Sequence, residues 1–315
     1  MRLILLLTFC FIFIQCDKSS PSDGQNHYTE WKNYLGDPGR SHYSQLTDFT
    51  PKNTKSLKVA WEYESKDYGQ MQMNPIVVDT LLYGVSSALR VFALDARSGE
   101  EVWVFGDTLK TLFSTSRGVS YWESGNDKRI FYTKGSDLWA LNARTGQPIP
   151  SFGKGGKIDL RSGLPTSAHE KFVISSTPGT IHKNLIIMPL RLSEGVGAAQ
   201  GDVMAFDVIT GKLTWSFHTL PRPNEAGIDT WGDLNISESP IVGAANNWAG
   251  MALDQEREIL YVPTGSAAPD FYGAMRPGKN LFSNCLLALN ANTGKLIWHY
   301  QFIHHDLWDR DPPAP

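Results

Sequence analysis

The stretch Ala93-Leu94-Asp95-Ala96-Arg97-Ser98-Gly99-Glu100-Glu101-Val102-Trp103 recurs along the chain, and its reading decides the fold. A second copy runs Ala140-Leu141-Asn142-Ala143-Arg144-Thr145-Gly146 and ends at Pro150, where the first has Trp103. The third is Ala205-Phe206-Asp207-Val208-Ile209-Thr210-Gly211-Lys212-Leu213-Thr214-Trp215, and the fourth is Ala288-Leu289-Asn290-Ala291-Asn292-Thr293-Gly294-Lys295-Leu296-Ile297-Trp298. Self-similarity of this kind marks a repeat architecture. Each copy reads as a hairpin: an apolar strand end, an Asp or Asn whose side chain can cap the turn, a Ser or Thr followed by Gly at the corner, then a returning strand. The glycine supplies the positive φ of the corner. The Trp closing three of the copies gives each unit a large apolar surface that it cannot bury alone, so the copies must stack.

A looser relative, Trp248 to Gly265, again reads strand, polar turn, strand. Leu57-Lys58-Val59-Ala60-Trp61-Glu62-Tyr63 reads as the returning strand and Trp of a blade whose other strands come from elsewhere. Repeated hairpins with a Trp at the sheet end favour radial repetition, which leaves only short edges exposed. The fold class is therefore all-β, a β-propeller. The chain stops at Asp311-Pro312-Pro313-Ala314-Pro315, just after a strong motif and with no closing strand, which suggests a propeller domain over 29–315 truncated at its C-terminus and holding about four or five blades.

Composition agrees. Ten Trp, 28 Gly and 18 Pro suit many short strands joined by tight corners. A net charge of -3 without long Lys/Arg runs excludes the electrostatic footprint of a nucleic-acid-binding protein. At the N-terminus, Arg2 precedes the apolar run Leu3 to Ile14, then Gln15, Cys16 and a Ser-rich stretch. The run is shorter than the ~20 residues a spanning helix needs, so residues 1–16 read as an export signal. Cys16 sits where a bacterial lipoprotein signal places its acylated thiol; plain secretion and a retained anchor are the alternatives. Residues 17–28 would then form a flexible tether. Cys10 and Cys16 belong to the signal, leaving Cys285 alone in the mature domain, without a disulfide partner and in an apolar run that suits a buried residue.

The repeats, together with His304-His305-Asp306-Leu307-Trp308-Asp309 and Tyr261-Val262-Pro263-Thr264-Gly265-Ser266-Ala267-Ala268-Pro269-Asp270, resemble the PQQ-dependent (quinoprotein) dehydrogenases, with the glucose dehydrogenase branch nearest. The resemblance covers Trp31 to Pro315. It implies an eight-bladed propeller when complete, and oxidation of a sugar or alcohol hydroxyl with electrons passed to a membrane quinone or cytochrome c. PQQ is a planar tricarboxylate quinone, so its site needs a flat sandwich, a cationic or hydrogen-bonding rim, and a divalent cation polarising the quinone. By the resemblance, Trp248 in Asn246-Asn247-Trp248-Ala249-Gly250 forms the floor, although a blade-packing Trp is the alternative. Arg117, in Ser116-Arg117-Gly118-Val119-Ser120-Tyr121-Trp122, matches the rim arginine; a solvated surface charge is the other reading. Gln72 and Ser176 fall near further cofactor positions.

For the metal, Ca²⁺ or Mg²⁺, the family's Glu, Asn and Asp correspond to Glu194, Ser266 and Asp309, all oxygen ligands as a hard cation requires. Ser266 departs from the family's Asn. Asp309 also matches the catalytic aspartate, which takes the substrate hydroxyl proton; a turn-capping acid is its alternative. His304 and His305, if adjacent on a strand, point to opposite faces and make poor co-ligands. Gly153-Lys154-Gly155-Gly156-Lys157 superficially resembles a phosphate loop but lacks its spacing. Two functions compete. One is a periplasm-facing, lipid-anchored quinoprotein. The other is a non-catalytic propeller scaffold of the outer-membrane protein assembly type, which has no reason to keep Arg117, Glu194, Trp248 and Asp309 together.

Overall fold

The computed structural model describes residues 30–107, 115–236, 239–312 and 315. The signal, the tether and Cys16 lie outside them. Four antiparallel four-stranded sheets, each an up-and-down blade, follow one another along the chain. Blade I holds β1 (Ile76–Val78), β2 (Leu81–Val85), β3 (Val91–Asp95) and β4 (Glu101–Phe105). Blade II holds β5 (Ser120–Ser124), β6 (Asp127–Lys134), β7 (Asp137–Asn142) and β8 (Lys157–Asp159). After β9 (Val173–Ile174), blade III uses β10 (Thr180–His182) and β11 (Leu185–Met188), makes an excursion through β12 (Arg191–Leu192), and resumes with β13 (Val203–Asp207) and β14 (Leu213–Phe217). β15 (Gly243–Ala244) leads to blade IV: β16 (Ala252–Asp254), β17 (Ile259–Pro263), an excursion through β18 (Ala267–Ala268), then β19 (Cys285–Asn290) and β20 (Leu296–Gln301). The excursions pair with the linkers, β12 with β9 and β18 with β15. The first strand of blade III, β10, lies against those of its neighbours, β5 and β16, so the first strands surround the axis.

The four repeats are the turns between the third and fourth strands, built as the sequence dictates. Asp95, Asn142, Asp207 and Asn290 each accept, through Oδ1, two backbone N–H bonds from residues two and three further on. The corner glycines Gly99, Gly146, Gly211 and Gly294 have φ of 75°, 69°, 74° and 69°. In copy two Pro148 and Pro150 interrupt the returning strand, because proline has no N–H to donate, and β8 starts only at Lys157.

Trp103 and Trp215 dock on the glycine corner of the next blade, whereas Trp298 packs beside Tyr261 of its own blade and stays exposed. Trp103 packs so closely that a Cβ on Gly146 would lie 2.5 Å from its ring, and Trp215 meets Gly294 at 2.4 Å. The indoles donate to turn carbonyls, Trp103 Nε1 to Ala143 O at 3.0 Å and Trp215 Nε1 to Ala291 O at 3.2 Å. Trp61 docks in the same way on Gly99, donating to Ala96 O at 3.3 Å. Leu57 to Tyr63, however, forms no strand: the segment docks its Trp without a ladder of its own. Between blades II and III the Trp is missing, and Arg129 takes over. Its Nη1 donates to Val208 O and Ile209 O at 2.8 and 3.1 Å, while Phe152 and Ile158 fill the space over Gly211. The hydrophobic cores accordingly lie between successive blades.

The segment after Glu30 ties the inner strands together. Trp31 bridges Val77, Pro38 O accepts from Leu253 N, and the buried Arg40 donates to Met251 O, Tyr34 O and Thr180 Oγ1.

Candidate active site

The four residues matched to cofactor contacts occupy equivalent places. Gln72, Arg117, Ser176 and Trp248 each lie three or four residues ahead of an inner strand, β1, β5, β10 and β16 in turn. The repeat thus delivers one side chain per blade to the same end of the axis. Backbone bonds link these lead-in segments: Asn74 N donates to Arg117 O at 3.0 Å and Arg117 N to Ser176 O at 2.7 Å. Thr177 Oγ1 continues the series to Trp248 O at 2.8 Å. Gly118 is required by this approach, since at φ 138° a Cβ there would sit 2.7 Å from Asn74 O.

The side chains converge. Arg117 Nη1 reaches Ser176 Oγ and Thr177 Oγ1, both at 3.1 Å, and its guanidinium carbon lies 5.5 Å from the centroid of the Trp248 ring. Gln72 Oε1 accepts from Thr115 Oγ1 at 3.2 Å. Trp248 docks on no hairpin glycine; its Nε1 donates to Asp311 Oδ2 at 2.8 Å. With Glu194, Ser266 and Asp309, these four residues line one cleft of about 500 Å³. All seven residues matched to the cofactor, the metal and catalysis therefore line it, although the Ser266 hydroxyl is bonded to the buried Asp306. Glu194 and Ser266 arrive on the excursions of blades III and IV, and Asp309 on the segment after β20.

This segment corrects one premise. His304 and His305 lie beyond β20, so strand alternation does not govern them; His305 Nε2 approaches Gly273 O at 3.2 Å. Asp306 is buried and structural. Burial raises its proton affinity, but hydrogen bonds from Ser266 Oγ, the backbone N–H groups of Arg310 and Trp308, and Asn284 outweigh that and hold it below the usual carboxylate range. Asp309, with φ 56°, turns into the cleft instead. Partial burial, then Asp311 and Glu194, push its carboxyl upward. Sequence reasoning missed two acids there. Asp270 is pushed up to about 7 by burial first, then by Asp309 and Glu194. Asp311 accepts from Trp248 and from Ser266 N. The signal available for both was an acid within a few residues of an assigned one.

Residues 31–315 match the family described as PQQ: glucose/ethanol/alcohol dehydrogenase, beta-propeller domain. The chain belongs to that family. It is 32% identical, over 90% of its length, to the quinoprotein glucose dehydrogenase of Escherichia coli (strain K12), covering 38% of that protein. It is 30% identical, over 91% of its length, to quinoprotein glucose dehydrogenase A of Acinetobacter calcoaceticus, covering 39%. The chain thus spans about two fifths of these curated relatives. The crystal structure of quinohemoprotein alcohol dehydrogenase from Comamonas testosteroni superposes with a TM-score of 0.77 at 24% identity, over 92% of this chain and 43% of that one, a likeness of fold.

The quinoprotein cleft suits its family's cofactor chemically. An indole plane, a guanidinium above it, and amide and hydroxyl groups at the edge match a flat polyanion, and the volume falls within the ~300–1,000 Å³ range of ligand sites. Its acidic side, Glu194, Asp270, Asp309 and Asp311, offers the hard oxygen donors that a divalent cation takes. Among the described residues, no three acid, imidazole or thiol groups close into a metal cage. Cys285 plays no part: it is buried and free, with burial pushing its thiol up to about 12.

Proposed function

We propose that this chain carries the cofactor site of a PQQ-dependent dehydrogenase that oxidises a sugar or alcohol hydroxyl, most closely of the glucose type. The observation that carries this reading is the convergence of Arg117, Glu194, Trp248 and Asp309 on one cleft. A propeller used only as a scaffold needs the repeat corners, but it has no use for that set. The names of the relatives, glucose dehydrogenases among them, support the same substrate class.

Converting a hydroxyl to a carbonyl removes a hydride from carbon and a proton from oxygen. PQQ, when bound, supplies the hydride acceptor. Trp248 offers a flat floor fixed at Nε1 by Asp311, and Arg117, Ser176 and Gln72 supply the polar rim. Ca²⁺ or Mg²⁺ would be held on the acidic side, with Glu194 and Asp309 as ligands. Asp309 would receive the hydroxyl proton on its carboxylate, which lines the cleft beside Glu194. Electrons then pass to a membrane quinone or cytochrome c. The protein faces the periplasm, held by a lipid on Cys16, a reading supported by the apolar run Leu3 to Ile14 that ends at that cysteine.

The test is to load the full chain with PQQ and Ca²⁺ and follow dye reduction with aldoses and simple alcohols. Turnover should follow, and Asp309→Asn should abolish it while leaving PQQ bound. No PQQ binding and no turnover on any substrate would overturn the reading; undiminished turnover in Asp309→Asn would place the base elsewhere.

A further inference from the structure

Arg276 follows the 3₁₀ turn Gly273–Met275 in the excursion of blade IV and plays no part in the chemistry above. It is fully buried, and its donors go to neutral oxygens: Nε to Pro269 O at 3.3 Å, Nη1 to Asn280 Oδ1 at 2.9 Å and Nη2 to Asp306 O at 2.5 Å. A guanidinium is costly to bury. Burial works against its charge, and the nearby Asp306, Asp270 and Asp309 sustain it, in that order. What the planar fork adds is reach in fixed directions. Two of its acceptors, the carbonyls of Pro269 and Asp306, lie on the two segments that bring Asp270 and Asp309 to the cleft. Gly273 leaves room for this crossing, since a Cβ there would lie 2.4 Å from Asp306 O and 3.0 Å from Arg276 Nη2.

From Asp306 the support continues to Asp309. The Asp306 carboxylate accepts from Trp308 N at 3.1 Å through Oδ1 and from Arg310 N at 2.5 Å through Oδ2, so one side chain holds both neighbours of Asp309. Asp309 itself has φ 56°, a left-handed backbone that a residue other than glycine keeps only where its surroundings enforce it. We propose that Arg276 is a positioning residue for Asp309: it clamps the Asp306 carbonyl to the blade IV excursion, and Asp306 fixes the turn that places Asp309 in the cleft. The proposal rests on the reading of Asp309 as the base. A base works only within hydrogen-bond reach of the proton it takes, so a small displacement of this turn costs rate and leaves substrate affinity intact.

The experiment is steady-state kinetics with glucose on the full chain loaded with PQQ and Ca²⁺, each rate divided by bound PQQ, with thermal melts alongside. Arg276→Lys keeps the charge but not the fork, and should lower kcat per bound PQQ about 10- to 100-fold with KM close to the parent's. Asp306→Asn keeps the shape but turns an N–H group toward donors; it should act in the same way, and the two losses should not add in the double variant. Parent-like kcat per bound PQQ in Arg276→Lys overturns the proposal, even where the melt is lowered and less PQQ is bound, because a purely structural role gives that result. A loss in KM alone overturns it too, as does full additivity of the two losses. If Arg276→Lys takes up no PQQ, Gly273→Ala decides in its place by pressing on the Asp306 carbonyl without touching the charge, and parent-like kcat there overturns the proposal. A parent protein that binds no PQQ overturns the cofactor reading, and undiminished turnover in Asp309→Asn overturns the base; an active parent with an equally active Arg276→Lys overturns this proposal alone.

Discussion

Gly146→Ala tests whether the blades are held by tryptophan docking on glycine corners. Gly146 has φ 69°, and a Cβ there would lie 2.5 Å from Cε3 of Trp103 and 2.6 Å from its Cδ2. Two penalties follow. The left-handed backbone costs an alanine about 1–2 kcal/mol, and forcing the indole aside adds about 1–3 kcal/mol of overpacking strain. Gly135 separates them: it has φ 63°, and a Cβ there would meet no described atom within 4 Å, so Gly135→Ala carries the first penalty alone. The difference between the two variants is therefore about 1–3 kcal/mol, or about 1.5–5 °C in melting temperature for a chain of 315 residues. Neither substitution removes a tryptophan, so intrinsic fluorescence can follow unfolding in both. Gly294→Ala, 2.4 Å from Trp215, should behave as Gly146→Ala does. In a Trp103→Leu background the excess penalty of Gly146→Ala should shrink, as a double-mutant cycle would report. If Gly146→Ala and Gly294→Ala melt together with Gly135→Ala, the corners are ordinary turns and the docking argument fails.

Two further outcomes are expected from buried polar groups. Arg129→Met keeps the aliphatic stem but leaves Val208 O and Ile209 O without their donor, and should lower stability by about 2–4 kcal/mol in thermal denaturation, while Arg129→Lys restores only part. Asp202 is pushed up to about 6, by burial first, with His218 and Arg222 opposing. A carboxyl whose folded value lies above its unfolded one binds its proton more tightly when folded, so its destabilising effect is absent below the unfolded value near 3.8 and grows as pH rises to about 6. Asp202→Asn should flatten the fall in stability across that window, gaining at most about 3 kcal/mol at neutral pH, less whatever the Arg222 contact contributes. An unchanged stability profile from pH 4 to 6 would refute that assignment.

Much of the site was legible because the repeats and the singular residues between them carry different information. Trp103 and Trp248 are indistinguishable as isolated tryptophans; only neighbours such as Asn246-Asn247 and Ala249-Gly250 separate a packing indole from a cleft indole. That Gln72, Arg117, Ser176 and Trp248 hold equivalent positions ahead of four inner strands was not visible. Three of those inner strands are only three residues long and lack a strong periodic signal. Arg129 was hidden for a related reason: the missing Trp of copy two could be read, but not the residue from a neighbouring strand that replaces it.

By itself the sequence determined the corner chemistry, the blade repeat and the need to stack, because turn capping, positive φ and an unburied indole are properties of a few consecutive residues. Only the tertiary structure decided which acids share the cleft. Ser266 and Asp270 are four residues apart, yet the Ser266 hydroxyl turns to the buried Asp306 while Asp270 lines the cleft with Glu194 and Asp309, where burial and then their charges push its carboxyl upward. That choice is set by the path of two excursions packed against each other, and so by contacts between residues far apart in the chain.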